Sequence, residues 1–242
     1  NMRPHLVFTG PTLSHKEAQR IADVICLPPA AQGSIVAAVH QYDPAAILII
    51  DGTFQTEPAV RHKEILWAIS RSVTVIGAAS MGALRAAELF PHMYGVGFIY
   101  RWYRRFAFAP DDAVAVLHGP KEVNFSPLTR ALVDLRITIR AAQRRDLIPL
   151  GLARRLDRAA RALNFRDRTL SRVVGEAMPN ATSDELNACR EILTTAFIQQ
   201  KKRDAISALQ LLRENIPEPS ALHKLILTSS FSQELEDSDL KP

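Results

Sequence analysis

The chain has 242 residues, enough for one large domain or for a domain with an appendage, and its 47% apolar and 23% charged residues are ordinary globular usage. No apolar run approaches the roughly 18 residues of a membrane-crossing helix, and no signal-peptide pattern opens the chain; a cytoplasmic protein without a membrane segment is expected. The net charge of +5 is uneven: residues 1–124 hold 11 basic and 10 acidic side chains, residues 125–242 hold 19 and 15, and nine arginines face three aspartates between Arg140 and Arg168.

In chain order, the first half alternates short apolar runs with helical patterns. The predicted strands are His5–Thr9, Val24–Leu27, Ala46–Ile50, Val73–Gly77 and Ala113–Leu117; the predicted helices lie near His15–Ala22, Ser34–His40, Val60–Arg71 and Met81–Leu89. Ser14 with Glu17 spells a capping box and so a helix start. Strands separated by helices of this length imply βαβ units in a mainly parallel, doubly wound sheet, and continuously apolar strands fit a sheet covered on both faces. From Leu128 to about Asn215 the pattern becomes successive helices, with a second capping box at Thr182 and Glu185 and with Pro149, Pro179 and Pro217 as punctuation. The expected class is therefore α/β, with an α/β core over residues 1–124, a helical region over 125–242 and a loosely ordered polar, acidic tail.

Two cysteines, Cys26 and Cys189, sit among apolar neighbours and read as small core residues. Nothing has zinc-site spacing, so no metal is expected. There is neither a phosphate loop nor a dinucleotide fingerprint, so no cofactor is expected in this chain.

In a doubly wound sheet, ligands gather beyond the carboxyl ends of the strands. The turns there are Thr9-Gly10-Pro11, Asp51-Gly52-Thr53-Phe54, Ala78-Ala79-Ser80-Met81-Gly82 and His118-Gly119-Pro120; each contains glycine and at least one polar side chain. Ser80 is the sharpest candidate. Its setting, small-x-Ser-x-Gly between strand and helix, approximates a nucleophile elbow, with Ala78 in place of the usual first glycine. The Met81 and Gly82 amides would then stand at a helix N-terminus, where they can hold an anion or an oxyanion. Equally, Ser80 is an ordinary helix N-cap. A nucleophilic serine needs a base and an orienting acid, and His118 and Asp51 are the strand-end residues of those types. Their alternatives are a structural histidine and an aspartate capping its own turn. Arg85 either anchors a carboxylate or pairs with Glu88 at i, i+3. Asp111-Asp112, ahead of the last predicted strand, either binds a hard cation or ends a loop. His62 reads as surface or packing.

The run Gly77-Ala78-Ala79-Ser80-Met81-Gly82-Ala83-Leu84-Arg85-Ala86-Ala87-Glu88-Leu89 resembles the signature of TfuA-like proteins. So do Phe8-Thr9-Gly10-Pro11-Thr12-Leu13, Asp51-Gly52-Thr53-Phe54, His62-Lys63-Glu64-Ile65-Leu66-Trp67-Ala68 and Val114-Ala115-Val116-Leu117-His118-Gly119-Pro120, which together span about residues 5–125. The resemblance implies work beside a YcaO-type enzyme that uses ATP and magnesium to activate a peptide amide, which sulfide converts to a thioamide. This chain would release that sulfide from a thiocarboxylated ThiS-like carrier, or else recruit the carrier and activate the YcaO enzyme without chemistry of its own. Its expected partners are then the YcaO enzyme, the ThiS-like carrier and the precursor peptide. Ser80, His118 and Asp51 would be catalytic, and Thr9, Gly10, Gly52, Met81, Gly82, Arg85 and Glu88 would line the substrate. The arginines from Arg140 to Arg168 suit an acidic protein partner, unless they only solvate a helix face. No recognised module or aromatic interleaving among them supports nucleic acid.

Overall fold

A computed structural model describes residues 2–219; the expected acidic tail lies outside these residues. The protein divides into two compact units, Asn1–Phe108 with the segment from Lys201 onward, and Ala109–Gln200. The boundary expected at residue 124 thus falls inside the second unit, and the last helix belongs to the first.

The first unit is an α/β fold around a five-stranded parallel sheet in the order β2-β1-β3-β4-β5, with β1 His5–Phe8, β2 Ile25–Leu27, β3 Ala46–Ile49, β4 Thr74–Ala78 and β5 Tyr94–Val96. Four of these are the predicted strands, three trimmed at their ends and β4 shifted one residue along the chain. The fifth is not: Ala113–Leu117 lies in the second unit, where Asp111–Val114 winds into a 3-10 turn. A short apolar run buries equally well in a turn packed on helices, because periodicity does not fix its partners.

Helices α1 (His15–Ile21), α2 (Ser34–Tyr42), α3 (His62–Ser70) and α4 (Met81–Glu88) connect the strands, and α5 (Phe98–Arg105) follows β5. The strand order has a physical consequence. Right-handed crossovers place α1, which leads leftward from β1 to β2, on one face and α2, α3 and α4, which lead rightward, on the other. The α1 face is then bare above β3 and β4. The C-terminal helix α10 (Gln200–Glu214) covers it. Its buried stripe Ala205, Ala208, Leu209 and Leu212 packs with Val7, Leu48, Ile50, Ile76 and Ala78 of the sheet and with Ala18 and Ala22 of the α1 segment. Polar ties fix its register: Lys202 Nζ meets Glu17 Oε1 at 2.7 Å, Thr74 Oγ1 donates to the Pro217 carbonyl at 2.8 Å, and the Tyr94 hydroxyl donates to the Glu218 carbonyl at 2.9 Å.

The second unit holds α6 (Leu132–Arg144), α7 (Leu150–Ala162), α8 (Leu170–Ala177) and α9 (Ser183–Thr195). Arg168 is 1% exposed. Its Nε donates to the Ala160 carbonyl at 3.0 Å and its Nη2 to the Leu163 carbonyl at 2.8 Å, so it caps the end of α7. Burial lowers its pKa, and Asp112 opposes that shift. Arg168, expected among the surface charges of the basic stretch, is thus a buried cap, and Asp112, expected ahead of a strand, interacts with that cation from a 3-10 turn (Asp111–Val114). Both expected capping boxes are present, at Ser14 with Glu17 and at Thr182 with Glu185. Among the described residues, no helix is long and apolar enough to cross a membrane.

Candidate functional site

The order β2-β1-β3 puts the topological switch point between β1 and β3, the place where ligands bind in open parallel sheets. Four segments meet the carboxyl ends there: 9–14 after β1, 28–33 after β2, 50–61 after β3 and 79–80 after β4. Three acids hold the first three of them.

Asp51, 2% exposed, pins the loop after β1. Its Oδ2 accepts the amides of Gly10 at 2.8 Å and Thr12 at 3.0 Å and, at 3.5 Å, the Thr9 hydroxyl; its Oδ1 accepts the Thr12 hydroxyl at 2.6 Å. Thr9 Oγ1 also donates to the Leu13 carbonyl at 2.8 Å. Asp51, expected as the orienting acid of a triad, thus spends both oxygens on the backbone and hydroxyls of the neighbouring loop. Thr9 and Gly10, expected to line a substrate, spend their polar groups on that same clamp.

Glu64, fully buried, pins the loop after β2. Its carboxylate accepts the amides of Gly33 at 3.0 Å, Ile35 at 3.1 Å and Arg61 at 3.2 Å, and so caps α2 and α3 together. Burial pushes its pKa up, and the backbone donors oppose the shift. Glu64 carried no signal of its own beyond its place at N3 of a helix.

The third clamp joins α3 to α4. Arg85 Nη1 donates to Glu88 Oε2 at 3.0 Å and its Nε to the Val60 carbonyl at 2.9 Å, while His62 Nε2 bonds the same Glu88 oxygen. Burial raises the Glu88 pKa, but His62 and Arg85 together outweigh it and hold the carboxyl below its ordinary range. Arg85 and Glu88, expected to line a substrate, form the i, i+3 pair that was the alternative. His62 belongs to the same cluster, which ties the end of the 50–61 segment to α4.

The turn after β4 is built differently. Helix α4 starts in direct contact with the sheet. A Cβ on Gly82 would lie 1.7 Å from the Ile49 carbonyl oxygen, and one on Gly77 would lie 2.0 Å from the Gly82 oxygen. Only glycine at both positions allows this approach. Gly52 has a similar role, because a Cβ there would lie 2.8 Å from Met81 Cγ. The Gly82 amide donates to the Ile50 carbonyl at 3.2 Å, so it is committed to the sheet and is not one of the expected oxyanion donors. Ala79, fully buried, sits at φ 69°, and the Ser80 amide donates back to the Ala78 carbonyl at 2.7 Å. The chain therefore reverses in a γ-turn at positive φ, a strained and rare arrangement. Ser80 follows with φ −130° and ψ −127°. It occupies the N-cap position of α4, but its side chain makes no capping bond to the helix, and its carbonyl accepts the Ala83 amide at 3.0 Å. A strained turn that presents a serine between strand and helix shares the logic of a nucleophile elbow, with the strain one residue earlier.

His118 belongs to the second unit. Its backbone bridges to Pro127, and its Nδ1 lies 2.8 Å from the Gly119 carbonyl. A carbonyl only accepts, so Nδ1 carries the proton and a neutral ring keeps its lone pair on Nε2. The ring rests edge-on to Phe125 at 6.0 Å. Ser80, Met81, Gly82, Asp51 and Gly52 gather at the strand ends of the first unit; the partners recorded for His118 lie within the second.

A family model described as TfuA-like protein matches residues 51–169. The match begins at Asp51, takes in the Ser80 turn, Arg85, Glu88 and His118, and ends one residue after Arg168. No curated protein matches the chain.

Proposed function

The chain belongs to the TfuA-like family, and on that premise we propose that it delivers sulfur in ribosomal peptide thioamidation, releasing sulfide from a thiocarboxylated ThiS-like carrier for a YcaO-type enzyme. The observation that carries the reading is the strained turn at Ala79, which sets Ser80 at the N-terminus of α4. In this reading the Ser80 oxygen attacks the thiocarboxylate carbon, the C–S bond breaks, and hydrosulfide leaves with the serine proton. An acyl-serine remains. Water adds to that ester, the carrier departs as its carboxylate, and the serine hydroxyl is restored. The Met81 amide is the oxyanion donor left to this turn, since the Gly82 amide bonds Ile50. ATP and magnesium belong to the YcaO-type partner.

The test is sulfide release from a thiocarboxylated carrier. Ser80→Ala should lower it at least about a hundredfold, the scale of losing a nucleophile, while circular dichroism stays parental. Release at the parental rate would overturn the role of Ser80.

One observation favours a second reading, a non-catalytic adaptor that recruits the carrier and activates the YcaO-type enzyme. Asp51, Thr9, Gly10, Arg85, Glu88 and the Gly82 amide all serve the fold itself. An adaptor would release no sulfide from the carrier, yet thioamidation would still require it when sulfide is supplied directly.

A further inference from the structure

One surface of the first unit takes no part in the site at the switch point. It lies at the β5 edge of the sheet, on α5 and its flanks. Phe90 is 53% exposed, Phe98 43%, Phe106 50% and Phe108 101%. Between Glu88 and Asp111 the sequence has no acidic residue, whereas it has Arg101, Arg104 and Arg105, all exposed on α5.

The helix is held so that this face turns outward. Ile99 and Tyr103, one turn apart, are its buried residues. Asp204 of α10 caps its start, accepting the Ile99 amide at 2.8 Å, and Gly97, at φ 99°, leaves room for that carboxylate. Phe98, Arg101, Trp102 and Arg105 then follow the i, i+3, i+4, i+7 spacing of a single face. The phenylalanines also shape the arginines. The Arg104 guanidinium lies 3.7 Å over the Phe90 ring, and that of Arg105 lies 5.5 Å over Phe106. A guanidinium on an aromatic shelf loses little freedom when it binds, and its in-plane N–H edges still point at a carboxylate. None of the three arginines makes an ion pair among the described residues.

From these features we infer that the α5 face is a docking surface for an acidic protein partner. Exposed phenylalanines and arginines are the residue types that concentrate in the energetic centres of protein interfaces. Three uncompensated positive charges oppose a second copy of the same face. The faces of Phe90 and Phe106 are already covered by guanidinium groups, which disfavours a nucleic acid stacking its bases on those rings. The partner presents carboxylates to Arg101, Arg104 and Arg105 and an apolar recess to Phe108. This inference does not depend on the sulfur-delivery reading.

The test is fluorescence anisotropy on the full chain with three labelled probes: a peptide alternating glutamate and leucine, the same peptide with lysine for glutamate, and an oligothymidylate. The acidic peptide should bind, weaken as salt rises, and exceed the lysine peptide by about tenfold or more. Phe108→Ser should lower its affinity by about tenfold, as should Arg101, Arg104 and Arg105 changed together to alanine. Phe108 is fully exposed, so its substitution leaves folding intact and carries the test even if the arginine variant unfolds. Tighter binding of the oligothymidylate, equal binding of the two peptides, or parental affinity in Phe108→Ser would each overturn the inference.

Discussion

Substituting Gly82 by alanine tests how closely α4 is seated on the sheet. The added Cβ would lie 1.7 Å from the Ile49 carbonyl oxygen and 2.5 Å from its carbon. Both are backbone atoms of a central strand, so no side chain can swing aside. An ordinary carbon–oxygen contact is about 3.3 Å, so the start of α4 has to retreat by about 1.5 Å. That shift breaks the 3.2 Å bond from the Gly82 amide to the Ile50 carbonyl, at about 1 kcal/mol, and adds about 3 kcal/mol of overpacking. Alanine's better helix propensity returns about 1 kcal/mol. The net cost is about 3 kcal/mol, or a fall in melting temperature of about 6–12 °C for a chain of this size. Gly151 and Gly175 supply the control. A Cβ on Gly151 would meet only Arg155 Nη1, at 3.8 Å, and one on Gly175 would meet nothing within 4 Å. Both lie in helices, so alanine there should raise the melting temperature by about 2–4 °C. Thermal unfolding of the three variants by calorimetry is the assay. A Gly82→Ala protein that melts with the controls, or above the parent, would refute the close seating of α4.

Asp51→Asn should cost about 2–3 kcal/mol, since an amide nitrogen would face donors that a carboxylate oxygen accepts; urea unfolding and faster hydrogen exchange at Gly10 and Thr12 would report it, and an unchanged midpoint would mean that the clamp is not needed. Glu88 has a lowered folded pKa, so the stability it adds is full above its ordinary value of 4.5 and is lost as pH falls through the folded value. Glu88→Gln should therefore flatten the acid side of the melting-temperature profile, and an identical slope in parent and variant would contradict the cluster. Ala78 and Ala79 are both fully buried, but only Ala79 has a positive φ. Changing either to glycine loses a methyl group, about 0.8 kcal/mol, and adds about 0.5–1 kcal/mol of chain entropy. At Ala79 alone, about 1–2 kcal/mol of left-handed strain is recovered. Ala78→Gly should thus destabilise by about 1–2 kcal/mol and Ala79→Gly by almost nothing in urea titrations; equal losses would show that the turn stores no strain.

Much of the first unit was legible because its signals are local. The strands at Leu6, Ile47 and Val75 lie in apolar runs, the start of α1 is spelled by Ser14 and Glu17, and the turn at Ser80 is framed by glycines that a strand-to-helix contact requires. What escaped was non-local. Strand β5 is three residues long and has glycine at its centre, so no apolar run announced it, and Ala113–Leu117 took its place in the reading. The stripe on α10 could be seen as amphipathic, but its destination follows only from the strand order, which leaves one face above β3 and β4 uncovered. The partners of Asp51 lie 39 to 42 residues away in sequence, and no local pattern distinguishes an acid that orients a histidine from one that receives two amides and two hydroxyls.

That ambiguity bears on how the strand ends are built. Asp51, Glu64 and Glu88 share one task. Each brings a carboxylate from one segment to donors of another, and each fixes a loop next to the switch point. Carboxylates suit this task because a charged acceptor can take several backbone amides at once, each bond being stronger than a neutral one. A site with three of its four loops fixed in this way loses little order when a ligand arrives. The fourth segment is built differently: the γ-turn at Ala79 persists because Gly77, Gly82 and the sheet leave α4 one place to sit. Ser80 follows that turn directly, as the N-cap residue of α4. Ser80→Ala should leave the γ-turn at Ala79 in place, since glycines and backbone hold it, whereas Asp51→Asn should disturb a loop whose amides and hydroxyls its carboxylate receives.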